Sequence, residues 1–160
     1  MVDEFEAAGE LPRLGRAVTL ACDDFAAYLR LLDDRSRGVN LPIGFVPETV
    51  YWLVRDAGGP DPVALGVTSL RHELTPLLED VGGHIGYSIR PSARRRGYGT
   101  RIHALALEKA RERGLPHVLV TCDTDNIGSA RIIVKNGGVL ASEGYSAVTQ
   151  SQVSRYWIAL

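Results

Sequence analysis

The stretch from His84 to Thr100 constrains the fold more than any other part of the chain. It opens with an apolar run, His84-Ile85-Gly86-Tyr87-Ser88-Ile89, halted by Pro91, and continues through Arg94-Arg95-Arg96-Gly97-Tyr98-Gly99. Beyond Gly99 the apolar spacing changes: Ile102, Leu105, Ala106 and Ala110 form one stripe that stops at Gly114 and Pro116. Such a change of period marks a strand that feeds a helix through a tight turn. Gly97 and Gly99 free the backbone for φ > 0 and let a ligand come close to the main chain. The helix that starts there offers unpaired N–H groups and the positive end of its dipole. The junction therefore suits a diphosphate. It is not a P-loop, because no Gly-Lys-Ser/Thr follows, and it lacks the third glycine of a dinucleotide fingerprint.

The rest of the chain supplies partners for this unit. Ala17-Val18-Thr19-Leu20-Ala21 reads as a short strand, and Phe25, Tyr28, Leu29 and Leu32 recur as one face of a helix entered through Asp23 or Asp24. A Gly- and Pro-rich loop runs from Arg37 to Pro47. The β-branched runs Thr49 to Arg55 and Val63 to Leu70, split by Ala57-Gly58-Gly59-Pro60-Asp61-Pro62, predict a hairpin. Leu74 to Gly83 reads as a loop or short helical turn. Val118 to Cys122 reads as a strand buried on both faces. A second helix is expected from Ile127 to Asn136, capped by Asp125 or Asn126 and closed by Gly137-Gly138. Strands near Val139-Leu140-Ala141 and Arg155 to Ala159 end the chain. The expected fold is α/β (α+β): a mixed central sheet of about six to seven strands in β-α-β-β-β-α-β-α-β order, antiparallel early with a parallel crossover late.

A length of 160 residues implies a single domain, residues 1–160, with residues 1–14 as a flexible lead-in. The formal net charge of −1 argues against nucleic acid and polybasic membrane binding. No apolar run approaches the roughly 20 residues of a membrane span. The acidic start, Met1-Val2-Asp3-Glu4-Phe5-Glu6, is unlike a signal peptide. Cys22 and Cys122 form neither a disulfide framework nor a metal knuckle, so no metal is expected. These features point to a reduced cytoplasmic protein without nucleic-acid or membrane partners.

Arg94-x-x-Gly97-x-Gly99, between a strand and a helix, resembles the Arg/Gln-x-x-Gly-x-Gly/Ala signature of the GNAT superfamily of acyl-CoA-dependent N-acyltransferases. Asp125-Asn126-Ile127-Gly128-Ser129-Ala130 resembles the second CoA-contacting segment of that family. Together with the terminal Arg155-Tyr156-Trp157-Ile158, these stretches look most like a bacterial acetyltransferase subgroup. The resemblance spans about residues 15 to 160. It implies an N-acetyltransferase with acetyl-CoA as co-substrate and a small-molecule or peptide amine as acceptor. The amine would attack directly within a ternary complex. A homodimer is compatible with it. It also implies a sheet splayed between the fourth and fifth strands by a β-bulge at Ile89, whose backbone would hold the pantetheine arm. The amides of Arg95, Arg96, Gly97, Tyr98, Gly99 and Thr100 would hold the diphosphate, flanked by Arg90 and Arg94. Asn126 and Ser129 would supply side-chain contacts to the CoA arm.

Many members carry a tyrosine acid seven residues after the Asn; here that position is Ile133. Tyr145 is the candidate replacement. The candidate base is His84, with His72 and Glu73 on the preceding segment, because an unperturbed histidine titrates near 6.5. Alternation puts His84, Gly86 and Ser88 on one strand face and Ile85, Tyr87 and Ile89 on the other. His84 is read either as the base or as a structural histidine, and His72 and Glu73 either as base or as a solvated strand end. Cys122 reads as a small buried apolar residue. The acceptor segments carry Asp33, Asp34, Arg35, Arg37, Glu48, Arg71, Glu73, Glu79 and Asp80, with no clear preference; acidic groups suit a cationic amine, and such clusters equally suit a solvated surface. The Ile133 substitution keeps a second reading open, a non-catalytic acyl-CoA-binding or sensing domain.

Overall fold

In the computed structural model, which describes residues 1–11 and 18–160, the strands fall into two antiparallel sheets joined by a crossover helix. The first sheet has the order β1-β2-β3, from Glu48–Arg55, Val63–Arg71 and Ile85–Ile89. The hairpin connecting β1 and β2 turns through the Gly- and Pro-rich segment, as expected. A single register shift at Leu53/Val54 interrupts an otherwise regular ladder. The second sheet has the order β4-β6-β5, from His117–Asp123, Ser151–Ala159 and Val139–Ser146. Both closing strands extend further than their apolar cores alone suggest, because β5 and β6 form a hairpin whose polar residues continue the pairing to Ser146 and Ser151.

Helix α5, Tyr98–Glu112, carries the chain from β3 to β4. It buries Ile102, His103, Ala106, Leu107 and Ala110 against the sheets. Helix α6, Ile127–Lys135, starts at Asn126, whose side chain accepts the Ser129 N–H at 3.0 Å, and buries Ile133 completely. The two helices approach closely at Gly99, where a Cβ would lie 2.6 Å from Ile132 Cδ1. The core is continuous across both sheets. Leu70 and Ile85 from one meet Val118, Val120, Tyr156 and Ile158 from the other beneath α5 and α6.

Two expectations are corrected. The strand expected over residues 17–21 is a helix, α2, Val18–Asp23; Ala17 itself lies outside the described residues. The Asp24 N–H bonds to the Leu20 carbonyl and its side chain accepts from the Ala27 N–H, so the chain passes from α2 straight into α3, Phe25–Ser36. An N-cap at Asp24 satisfies orphan helix amides, and α2 packs on α3 rather than on a strand edge. The bulge expected at Ile89 is also absent: β3 pairs with β2 in unbroken register from Gly66↔Ile89 to Leu70↔Ile85.

The sheets part for a different reason. β3 and β4 lie side by side without forming a ladder, and one backbone bond, His84 N–H to the Leu119 carbonyl at 2.7 Å, joins them at the start of β3. Gly83 permits that approach. Its φ is +58°, and a Cβ there would sit 2.4 Å from the Leu119 oxygen. Beyond His84 the strands diverge around a cleft. The segment before Gly83 contains a short helix, α4, Pro76–Asp80, capped by Thr75. Helix α1, Val2–Ala7, lies within the stretch expected as a flexible lead-in, and its Phe5 is fully buried. Among the described residues, no helix is long and apolar enough to cross a membrane.

Candidate active site

The glycine turn between β3 and α5 takes the form its sequence requires. Arg95 and Gly97 adopt φ of +61° and +83°, and Gly97 caps α5 in the left-handed region. The first helical bond of α5 runs from the Arg101 N–H to the Gly97 carbonyl, so Tyr98, Gly99 and Thr100 keep N–H groups without intrahelical partners. A Cβ at Gly97 would meet nothing within 4 Å, so the main chain here faces open space. Arg95, Arg96 and Arg101 stand beside it and make no ion pair among the described residues. Free amides, a helix dipole and unpaired guanidinium groups around an open main chain fit an anionic diphosphate.

Arg90 and Arg94 are engaged elsewhere. The Arg94 guanidinium grips the Glu10 carboxylate through both terminal nitrogens, at 2.9 and 2.6 Å, and its Nε donates to the Ile89 carbonyl at 3.0 Å. It also lies 5.7 Å from the ring centre of the buried Phe5. Arg90 pairs with Glu4 and donates to the Ala64 carbonyl. The Glu4 carboxylate also accepts the Ser92 N–H at 3.0 Å, and with Arg90 these bonds hold its pKa down to about 2. The signature arginine thus ties α1 and the end of β3 to the turn instead of projecting into its open side.

Between the diverging strands lies a cleft of about 300 Å³. From β3 and α6 it receives Tyr87, Asn126 and Ser129; from β4 it receives Thr121, Cys122 and Asp123. Strand alternation alone sets Tyr87 on the face opposite His84. Its hydroxyl lies 2.8 Å from Ser129 Oγ, and burial raises its pKa to about 12, so it stays protonated. The Tyr87 and His103 rings meet edge to face, with centroids 5.3 Å apart at 80°. Cys122 contacts Ser129 as well; burial, followed by the Asp123 charge, pushes its thiol pKa up, which keeps it a poor nucleophile. Ile133 is sealed in the core and has no polar role.

The other proposed catalytic residues do not converge on this cleft. His84 sits where the sheets touch, and its Nδ1 accepts the Leu119 N–H at 2.9 Å. Burial, then His117 and Arg71, lowers its pKa to about 4, so it remains a neutral structural histidine. Its ring faces Trp157, on the side of the strand away from Tyr87. Glu73 is exposed beyond the end of β2, and the neighbouring His72 Nε2 bonds to Thr49 Oγ1 at 2.9 Å. Tyr145 is 62% exposed on the edge strand β5. Asn126 and Ser129 do line the cleft, although the Asn126 oxygen is occupied in capping α6. Sequence reading missed Tyr87 and Asp123 as cleft residues and named Arg71 only among the charges of the acceptor segments. The signal available was alternation along β3, which sets Tyr87 facing the helices.

With the fold and cleft described, the family can be stated. The acetyltransferase (GNAT) domain family matches residues 19–139, and the chain belongs to it. No curated protein matches the chain significantly. Among solved structures, the ribosomal-protein-S5-alanine acetyltransferase of Vibrio fischeri superposes with a TM-score of 0.62 at 14% identity, over 83% of this chain and 68% of that one. A variant of the spermidine N-acetyltransferase of Vibrio cholerae gives 0.57 at 15%, over 82% and 73%. An acetyltransferase of Bacillus subtilis in complex with CoA gives 0.55 at 15%, over 71% and 77%. At such identities the likeness is one of fold.

Proposed function

We propose that this protein transfers an acetyl group from acetyl-CoA to a primary amine by direct attack within a ternary complex. The observation that carries the reading is the open main chain at Gly97 and the free amides of α5, set beside a split between β3 and β4. Acetyl-CoA, when bound, supplies the thioester carbonyl for the amine. The amides of Arg95 to Thr100 bind its diphosphate, with Arg95, Arg96 and Arg101 adding charge. Arg94 and Arg90 position that turn by anchoring it to α1. The cleft then receives the pantetheine arm beside Ile89, Asn126 and Ser129.

The leaving thiolate needs a proton, and the Tyr87–Ser129 hydroxyl pair is the donor this cleft offers. As the C–N bond forms and the C–S bond breaks, Ser129 Oγ gives its proton to the sulfur and takes one from Tyr87, which is protonated to about pH 12. The proton released by the amine passes through solvent and restores Tyr87. Cys122, with its raised pKa, takes no acyl group.

A second reading, a non-catalytic acyl-CoA-binding or sensing domain, is favoured by Ile133 at the usual tyrosine position. Purified protein incubated with acetyl-CoA and a panel of amines separates the two. CoA release that depends on an amine supports transfer. Tight CoA binding in calorimetry with no release in any mixture supports the sensor.

A further inference from the structure

One end of the cleft is electrically unbalanced. Arg71, at the end of β2, lines the cleft with a side chain only 24% exposed. Its Nη1 donates to the carbonyls of Gly82 and Gly83, at 3.1 and 3.0 Å, which fix the guanidinium in place. The one carboxylate within 4.0 Å of it, among the described residues, is Glu48, and Glu48 is shared with Arg35 at 3.5 Å. Two largely buried guanidinium groups therefore face one buried carboxylate. Asp80, nearby in the chain, does not correct this, because it is committed to Arg155 and Ser146. A buried cation without a full counter-charge is costly, and an anion entering the cleft relieves that cost. Arg71 retains donors besides Nη1, in the fork geometry that suits a carboxylate.

Asp123, at the end of β4 and on the wall of the same cleft, has the opposite sign. Its Oδ1 accepts the Ser151 hydroxyl at 2.8 Å, and it makes no ion pair among the described residues. It directly follows Cys122 and is solvent-exposed, and its charge pushes the Cys122 thiol pKa up after burial does. The cleft wall therefore carries charges of both signs, a cation from the end of β2 and an anion from the end of β4.

We propose that the acceptor is an amine of the amino-acid type, its carboxylate on Arg71 and its amino group toward Asp123. This rests on the acetyl-transfer reading above and names its substrate class. A polyamine would instead set a positive charge against Arg71, which the cleft disfavours.

The test uses the full chain, acetyl-CoA and matched pairs of amines, L-lysine with cadaverine and L-phenylalanine with phenethylamine. The carboxylate member of each pair is expected to have the higher kcat/KM by about ten- to a hundredfold, the yield of a charge-assisted hydrogen bond. Arg71→Gln should collapse that ratio, chiefly through the acceptor KM, and Arg71→Lys should restore part of it. A merely structural Arg71 would slow every acceptor alike and leave the ratio unchanged, which overturns the proposal. Equal turnover of both members by the unaltered protein also overturns it, and needs no variant to fold. Failure to bind CoA would sink the acetyl-transfer reading itself. Protein that binds CoA and acetylates only amines lacking a carboxylate, or none of the four, overturns the substrate class alone.

Discussion

The hydroxyl of Tyr87, on β3, lies 2.8 Å from the hydroxyl of Ser129, on α6, across the gap that divides the two sheets. The two groups come from opposite sides of the crossover, so neither strand nor helix alone creates the pair. If it delivers the proton to the leaving thiolate, Ser129→Ala should lower kcat about a hundredfold, the usual reach of a positioned proton donor. The acetyl-CoA KM should change little. Tyr87→Phe should lower kcat by less, and the double variant should match Ser129→Ala because the two act in series. Additive losses in steady-state kinetics would separate the two residues.

Gly97 distinguishes backbone strain from ligand approach. Its φ of +83° is accessible to Asn but costs Val roughly 1–2 kcal/mol. Both side chains would enter open space, since a Cβ at this position meets no protein atom within 4 Å. Gly97→Val should therefore lose both stability and CoA affinity, whereas Gly97→Asn should lose mainly affinity. Wild-type CoA affinity in both variants, measured by calorimetry, would mean that the diphosphate does not approach this turn.

Acid should destabilise the fold through two histidines. Burial lowers the pKa values of His84 and His103 to about 4, against 6.5 for the free side chain. Between those values the unfolded chain takes up protons that the folded chain refuses, so stability falls as pH drops from about 6.5 to 4. It is unaffected by these groups above 6.5. The loss is on the order of 2–3 kcal/mol for each histidine. Both ring nitrogens of His103 are buried without hydrogen-bond partners among the described residues, so His103→Leu should flatten the curve and raise the denaturation midpoint at pH 4.5. An unchanged pH slope in urea titrations would assign the acid sensitivity to other groups.

Phe5 tests the reach of the amino-terminal helix. It is fully buried beneath the Arg94 guanidinium. Phe5→Ala should cost about 3–5 kcal/mol as a cavity mutation. At temperatures where the variant stays folded it should also weaken CoA binding, although Phe5 does not line the cleft. Undiminished affinity would show that α1 stabilises the domain without setting the turn.

Cys122→Ala should keep most activity, because burial and Asp123 hold the thiol protonated. Loss of turnover in a folded variant would reopen a covalent route, and mass spectrometry of the acetyl-CoA-treated protein would then reveal an acyl adduct.

Local features of the chain were readable from residue order. The β3–turn–α5 unit, the β1–β2 hairpin and the Asn126 cap follow from spacing, glycine and side-chain oxygens, which act within a few residues. The strand expected over residues 17–21 failed for a related reason. An apolar run that short fits either period, and in the fold it packs as a helix against α3. The glycine turn before α5 was likewise legible, because left-handed backbone and free helix amides are properties of consecutive residues.

Charge and hydrogen-bond partners at the site were not. Arg94 looks like a phosphate ligand until Glu10, 84 positions earlier, occupies it. His84 looks like a base until the Leu119 amide, 35 positions away, claims its ring. The residue order of this chain determined where strand, turn and helix meet. Only the packing of the two sheets decided which polar groups are already satisfied and which are left facing the cleft. Burial removes water as the alternative partner, so a group's chemistry is set by whichever distant residues the fold brings within hydrogen-bonding distance.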